Sequence, residues 1–359
     1  MASDPYRRLA ERVDQIPNGF PSTESGIELK LLAKMFSPEE ARLASYMKLR
    51  PEPAVTIADR AGVTGEAALQ HLGAMAMKGL IGIARREEGK LFSLRPFVVG
   101  FYEAWLPRMD QEFASLFEQY LKESRGALLR TGPSVHRVLP VDLPIDTEIE
   151  IFPYESATSM LSGAKSWGVR DCICRVQKSL IGEACEHPVE NCLVFSPVEN
   201  AFESAEDVRS LSKEEALAIL EEAEEAGLVH SSGNYRTGNS YICNCCTCSC
   251  GVMRGIAELG IQTAVARSAF RAVVDVQECL GCGRCVNRCQ FGALSLRDGA
   301  AEIDSERCAG CGLCVTTCPP GAMRLTRLSE EDAPKPPRTI HHWMRDKAEA
   351  RGITLEDIA

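Results

Sequence analysis

The stretch ECLGCGRCVNRCQFGALSL, residues 278–296, returns 29 residues further on as RCAGCGLCVTTCPPGAMRL, residues 307–325. Each copy carries four cysteines spaced C-x2-C-x2-C-x3-C: Cys279, Cys282, Cys285 and Cys289, then Cys308, Cys311, Cys314 and Cys318. Two residues between cysteines make a loop tight enough to set three thiolates on three corners of one metal cluster. Gly281, Gly283, Gly310 and Gly312 let that loop turn with positive φ and bring N–H groups towards the sulfurs. The fourth cysteine of each copy opens a helical turn that points away, towards a second cluster. Structural zinc would use C-x2-C pairs that close tetrahedra, and two complete four-cysteine repeats argue against it.

This spacing resembles that of the bacterial two-[4Fe–4S] ferredoxins over about 60 residues. The resemblance implies a ferredoxin-like domain that moves single electrons. It also implies the ligand sets: Cys279, Cys282, Cys285 and Cys318 for one cluster, and Cys308, Cys311, Cys314 and Cys289 for the other. Pro319 follows Cys318 as that family expects, but Gln290 stands where the matching proline after Cys289 would be. Such a change loosens the turn without removing a ligand, and it can alter the potential of the cluster.

The whole chain has 359 residues and 17 cysteines, with none before Cys172. Its length suits two or three domains, and 45% hydrophobic residues are enough to bury large cores. The N-terminal MASDPYRRLAERVDQ has no apolar run of the kind a signal peptide needs, and no stretch is long and apolar enough to span a bilayer. The expectation is a cytoplasmic protein whose cysteines are metal ligands or redox groups, since an odd number cannot all pair. A net charge of −10 argues against a general nucleic-acid surface and suits docking on basic patches of redox partner proteins.

Outward from the repeat, the chain reads as an α+β multidomain protein. Residues 1–36 form an N-terminal extension of a helix and a loop. Residues 37–98 resemble a winged helix, with helices at 38–49, about 55–61 and 64–79, then two strands around a charged turn ending at Gly89. Ser37 and Glu40 form a capping box with Pro38 at the first helical position. The would-be recognition helix, opened by Val63-Thr64-Gly65-Glu66, offers only Lys78 as a firm positive charge, which weighs against DNA binding. In the wing, Glu87 and Glu88 oppose Arg85, Arg86 and Lys90.

Residues 99–268 make a central helical and cysteine-rich domain. Met109, Phe113, Leu116, Phe117, Tyr120 and Leu121 recur at helical spacing as one core stripe within a helical stretch at 101–129. Extended chain is expected over 135–152, a helix over about 154–167, and a second over 213–226 with a Ser212–Glu215 capping box. The ferredoxin domain occupies 269–328, as repeats 270–299 and 300–328. A proline-rich linker and a C-terminal helix at about 340–350 fill 329–359, where His341 and His342 read as surface residues.

Nine further cysteines lie in the central domain: DCICR (Cys172, Cys174), ACEHPVENC (Cys185, Cys192) and ICNCCTCSC (Cys243, Cys245, Cys246, Cys248, Cys250). In an extended strand, residues two apart share a face ~6.6 Å apart. That puts Cys243 and Cys245 on one face and Cys246, Cys248 and Cys250 on the other. One candidate cluster set is Cys172, Cys174, Cys243 and Cys245. A second joins Cys246, Cys248 and Cys250 to Cys185 or Cys192, with His187 as a non-thiolate ligand. A helix over 251–260 would turn its N-terminus towards these thiolates. Other readings are a zinc site, a two-iron cluster or a redox-active thiol pair. The block from about 170 to 320 resembles uncharacterised iron–sulfur proteins of anaerobes in which such motifs precede a dicluster ferredoxin.

The function expected is an electron-transfer protein or subunit with two [4Fe–4S] clusters and at least one more iron–sulfur cluster. No G-x-G-x-x-G or Walker loop indicates a nicotinamide, flavin or nucleotide. The alternatives are a reductase with an active central cluster fed by the ferredoxin pair, and a redox-sensing winged-helix regulator.

Overall fold

In the computed structural model the chain is a mixed α/β protein, and residues 4–87, 89–141, 152–203 and 205–355 are described. It divides into two units, one of residues 1–132, 180–182 and 344–359, the other of residues 133–179 and 183–343.

In the first unit, α1 (Pro5–Asp14) and α2 (Ile27–Met35) occupy the N-terminal extension, one helix more than expected. α3 (Pro38–Ala44) begins with the Ser37–Glu40 capping box. It ends sooner than the expected residue 49. The Tyr46 and Met47 carbonyls accept from the guanidinium groups of Arg60 and Arg12 instead of continuing the helix. There follow β1 (Glu52–Pro53), α4 (Ala54–Ala61), α5 (Gly65–Met77), β2 (Ile81–Arg86) and β3 (Gly89–Leu94), the strands pairing in the order β1-β3-β2. Lys78, just past α5, is bound to buried Glu40 at 2.7 Å.

The stretch 101–129 is broken rather than continuous. After the one-turn α6 (Tyr102–Ala104), Asp110 caps a new helix, α7 (Gln111–Glu123), by accepting from the Phe113 N–H at 2.7 Å, and α8 (Ala127–Arg130) follows. Phe113, Phe117 and Tyr120 are buried, and Tyr102 stacks on Phe117 with ring centroids 4.0 Å apart. This is core packing.

The second unit is built on a seven-stranded sheet. Its strands are β4 (His136–Val138), β5 (Ser166–Asp171), β6 (Glu190–Ser196), β7 (Arg209–Leu211), β8 (Val229–Gly233), β9 (Tyr241–Cys245) and β10 (Val265–Ala266). They lie in the order β10-β4-β8-β9-β6-β5-β7, antiparallel except for β10 beside β4. Most of the extended stretch expected at 135–152 falls at 142–151, outside the described residues. The helix expected over 154–167 is only α9 (Ala157–Ser162). The chain turns at Gly163, and residues from Ser166 pair into β5 with Trp167 and Val169 opposite Phe195 and Leu193. Two more helices complete this part, α10 (Ile173–Leu180) and α11 (Lys213–Glu225), the latter with the Ser212–Glu215 capping box. Leu161, Val169, Leu193, Leu220 and Ile242 make the core between helices and sheet.

From α12 (Gly251–Ala257) the chain runs into the repeat. β11 (Phe270–Val274) pairs antiparallel with β14 (Met323–Arg327), and β12 (Leu294–Arg297) with β13 (Ala300–Ile303). Two short helices, α13 (Arg284–Arg288) and α14 (Leu313–Thr316), follow the cysteine loops. The C-terminal helix α15 is Ile340–Arg351, and both His341 and His342 on it are exposed. Among the described residues, no helix is long and apolar enough to cross a membrane.

Two glycines fix the cysteine loops. A Cβ on Gly281 would lie 2.3 Å from the Gly299 carbonyl oxygen, and one on Gly310 would lie 2.0 Å from that of Phe270. Both residues have positive φ, 60° and 69°. Gly310→Ala therefore should cost more than about 1 kcal/mol through backbone conformation alone, before any clash. Iron bound per purified chain should fall; a full iron content with an unchanged thermal midpoint would contradict this.

Candidate metal centres

The repeat forms two cavities. One is lined by Cys279, Cys282, Cys285 and Cys318 together with Leu280, Leu296 and Met323. The other is lined by Cys289, Cys308, Cys311 and Cys314 with Ala272, Phe291 and Leu294. Each gathers three cysteines from one copy and the fourth from the other. Backbone N–H groups already point at sulfur here: Ala293 N donates to Cys289 Sγ at 3.3 Å and Ala301 N to Cys279 Sγ at 3.4 Å. Burial raises the thiol pKa of Cys285, and it drives those of Cys311, to about 12, and Cys314 well up. Protonated thiols are poor ligands, and a cation in either cavity would supply the charge that burial denies. The eight-thiol donor set and its N–H groups fit cubane clusters.

The nine central cysteines fall into two groups that differ from the sets expected from an extended strand. Six form a closed ring of neighbouring thiols whose titrations influence one another. Cys172 meets Cys174 and Cys192, and Cys174 meets Cys250. Cys250 meets Cys245, Cys245 meets Cys243, and Cys243 meets Cys192. Strand pairing makes half of this ring. Leu193 faces Ile242 across β6 and β9, which sets Cys192 beside Cys243 one step along, and Ser231 faces Cys243 on β8. A turn makes the other half. β9 ends at Cys245, residues 247–249 turn, and Cys250 N donates to the Cys246 carbonyl at 3.1 Å. Cys250 thus returns to Cys245 and leaves Cys246 and Cys248, the neighbours an extended chain would have given it. The neighbouring thiols of Cys174 and Cys192 hold Cys172 well below the usual thiol range, and those of Cys174 and Cys245 do the same for Cys250.

The second group is Cys185, His187, Cys246 and Cys248, whose ligand atoms all lie within 4.8 Å of one another. Cys246 is buried, Cys185 and His187 are half-buried, and Cys248 is exposed. His187 turns Nδ1 towards Cys248 Sγ at 3.7 Å, and Ser249 Oγ lies 3.3 Å from Cys185 Sγ. Burial pushes the Cys185 thiol up, but hydrogen bonds with Ser249, His187 and Cys248 bring it down to about 6.

A buried polar network joins the two groups. Arg175, 2% exposed, donates to Asn191 Oδ1 and the Asn244 carbonyl, each at 2.8 Å, and to Cys246 Sγ at 3.7 Å. Asn244 in turn meets His230 Nδ1 and donates to the Asn191 carbonyl, both at 2.7 Å. Burial would lower the pKa of Arg175, but the thiols of Cys172, Cys246 and Cys245 more than offset it. The arginine stands between the ring and the tetrad.

Gln290, the residue in place of the ferredoxin proline, is also engaged. Its Oε1 accepts from Thr247 N at 3.0 Å and Thr247 Oγ1 at 2.9 Å, and its Nε2 donates to the Gly227 carbonyl at 3.0 Å. Cys289 of the repeat is thereby tied to the turn that carries Cys246 and Cys248. His136 is a further residue that the sequence did not single out. It is 6% exposed, neither ring nitrogen has a hydrogen-bond partner, and its charge would interact with Cys250. A lone histidine in a short strand gives no motif; its place depends on β4 pairing with β8.

Asn244→Leu should destabilise the second unit, because it removes the buried hydrogen bonds to the Asn191 carbonyl and to His230 Nδ1, and a buried acceptor left without its donor costs about 1–3 kcal/mol. Denaturant unfolding followed by circular dichroism measures the loss. An unchanged midpoint would remove the network from any role in holding the thiols.

Residues 272–325 match the family model of the 4Fe-4S dicluster domain. No curated protein and no solved structure matches the chain. A mixed α/β chain with a C-terminal 4Fe-4S dicluster domain and many further cysteines points to an iron–sulfur electron-transfer role.

Proposed function

We propose that the protein is an electron relay in which the dicluster domain exchanges electrons with a third iron–sulfur centre on the ring of Cys172, Cys174, Cys192, Cys243, Cys245 and Cys250. The observation that carries this reading is the hydrogen-bonded tie from Gln290, beside Cys289, to Thr247 in the central cysteine turn. A ferredoxin used only as a mobile carrier has no need of such an anchor. Cys279, Cys282, Cys285 and Cys318 would hold one [4Fe–4S] cluster, and Cys308, Cys311, Cys314 and Cys289 the other, in line with the cavity each set lines. The clusters supply one-electron redox chemistry. The chain's own residues hold the thiolates, exclude water and present N–H groups to sulfur. A cubane takes four thiolates, so six contiguous thiols suit a larger or thiolate-bridged centre. The negative charge of the chain would favour docking on basic redox partners.

A second reading, a reductase acting at the ring, is favoured by His136. A buried imidazole without a partner beside Cys250 could deliver a proton to a substrate reduced there. The regulator reading has less support, since Lys78, the one firm cation at the end of α5, is bound to Glu40.

Iron and acid-labile sulfide counts on protein purified without oxygen test the relay. The expected count is about twelve iron atoms or more, against about eight for the dicluster domain alone. Cys243→Ser and Cys192→Ser should lower it to about eight and leave the reduced ferredoxin signals in electron paramagnetic resonance. A wild-type count of about eight would sink the third centre.

A further inference from the structure

The ring and the tetrad are two different kinds of site. Cys185, His187, Cys246 and Cys248 have all four donor atoms within 4.8 Å of one another. A tetrahedral ion with metal–sulfur bonds of about 2.3 Å sets its thiolates ~3.8 Å apart, which fits that spread. A cubane places each protein thiolate on a different iron and spreads them wider.

We infer that Cys185, His187, Cys246 and Cys248 bind a single zinc ion, separate from any iron–sulfur centre. The donor set is three thiols and one imidazole, a closed tetrahedral combination of the kind structural zinc takes. His187 presents Nδ1 to Cys248 Sγ at 3.7 Å. Three thiolates and a neutral imidazole around a dication carry one net negative charge. Arg175, buried and donating to Cys246 Sγ, offsets it, and Ser249 Oγ beside Cys185 Sγ is a further partner for a thiolate. A redox-inert ion suits the position. Thr247 lies between two of the ligands and holds Gln290, so the ion would staple the turn on which the dicluster domain is anchored. The chain segments it joins, the 185–187 loop and the 246–248 turn, have no strand pairing between them.

The test uses the full chain purified without oxygen, with metals counted by mass spectrometry and the zinc edge read by X-ray absorption. About one zinc per chain is expected, with three sulfurs at about 2.3 Å and one nitrogen at about 2.0–2.1 Å. Cys248→Ser and His187→Ala should lose most of that zinc to a chelator while iron per chain stays unchanged. His187→Cys should keep the zinc and change its shell to four sulfurs, which separates loss of a ligand from loss of the fold. The inference is overturned if wild-type zinc is at background, if its shell lacks sulfur, or if Cys248→Ser lowers iron. An all-oxygen shell means an adventitious ion only. The iron count behind the proposed relay is a separate readout, so either idea can fail alone.

Discussion

Arg175 is the constraint on which the central cysteines depend. Thiols bind metal as thiolates, and gathering several thiolates in one interior concentrates negative charge where water cannot solvate it. A buried cation answers that only if its own polar atoms are satisfied. Arg175 meets the condition at its two terminal nitrogens, through Pro188, Asn191, Asn244 and Cys246, acceptors drawn from two separate stretches of chain, while its Nε has no hydrogen-bond partner. The planar guanidinium suits this better than an ammonium would, because its N–H groups diverge in fixed directions. One side chain therefore fixes α10, β6 and β9 against one another, and with them Cys172, Cys192, Cys243 and Cys245.

What the sequence made legible follows from how local each feature is. The ferredoxin repeat is written in spacings of two and three residues, and the glycines that permit its loops are visible in the same stretch. The Ser37–Glu40 and Ser212–Glu215 caps are equally local, and both are present. The grouping of the central cysteines is not local. Cys192 reaches Cys243, 51 residues further on, because β6 and β9 pair at one register. Cys250 leaves Cys246 and Cys248 because three residues turn instead of extending. A one-residue alternation rule has no access to either event, so it grouped Cys250 with Cys246 and Cys248 and left Cys185 and Cys192 as alternatives, whereas Cys185, His187, Cys246 and Cys248 come together without Cys250.

The helix expected at 154–167 failed for a related reason. Its second half pairs into the sheet at β5, and tertiary pairing outweighs a weak local preference there. The stripe at 101–129 was correct as core but not as one helix, because Asp110 offers a capping oxygen that restarts the helix. The arginine of Cys172-x-Cys174-Arg175 is a different case. Its cysteines were obvious and its arginine was visible, yet the partners that explain it, Asn191 and Asn244, look like ordinary polar residues until the fold buries them.

Gln290 gives the two repeats unequal roles. Were both copies only to wrap clusters, either fourth cysteine could be followed by proline, as Cys318 is by Pro319. Proline has no N–H and no polar side chain, so it cannot hold a neighbouring turn. Gln290 accepts twice from Thr247 and donates once to Gly227, which converts the end of the first copy into a joint. The opposite end is open: Cys282 is exposed and the adjoining Leu280 is 70% exposed. The two cavities of the dicluster domain therefore sit in different surroundings, one beside solvent and the other against the central cysteines. A domain with equivalent ends could pass electrons either way between any two partners. This one has an outer end beside solvent and an inner end fixed to its own chain, an asymmetry that the proposed relay would use.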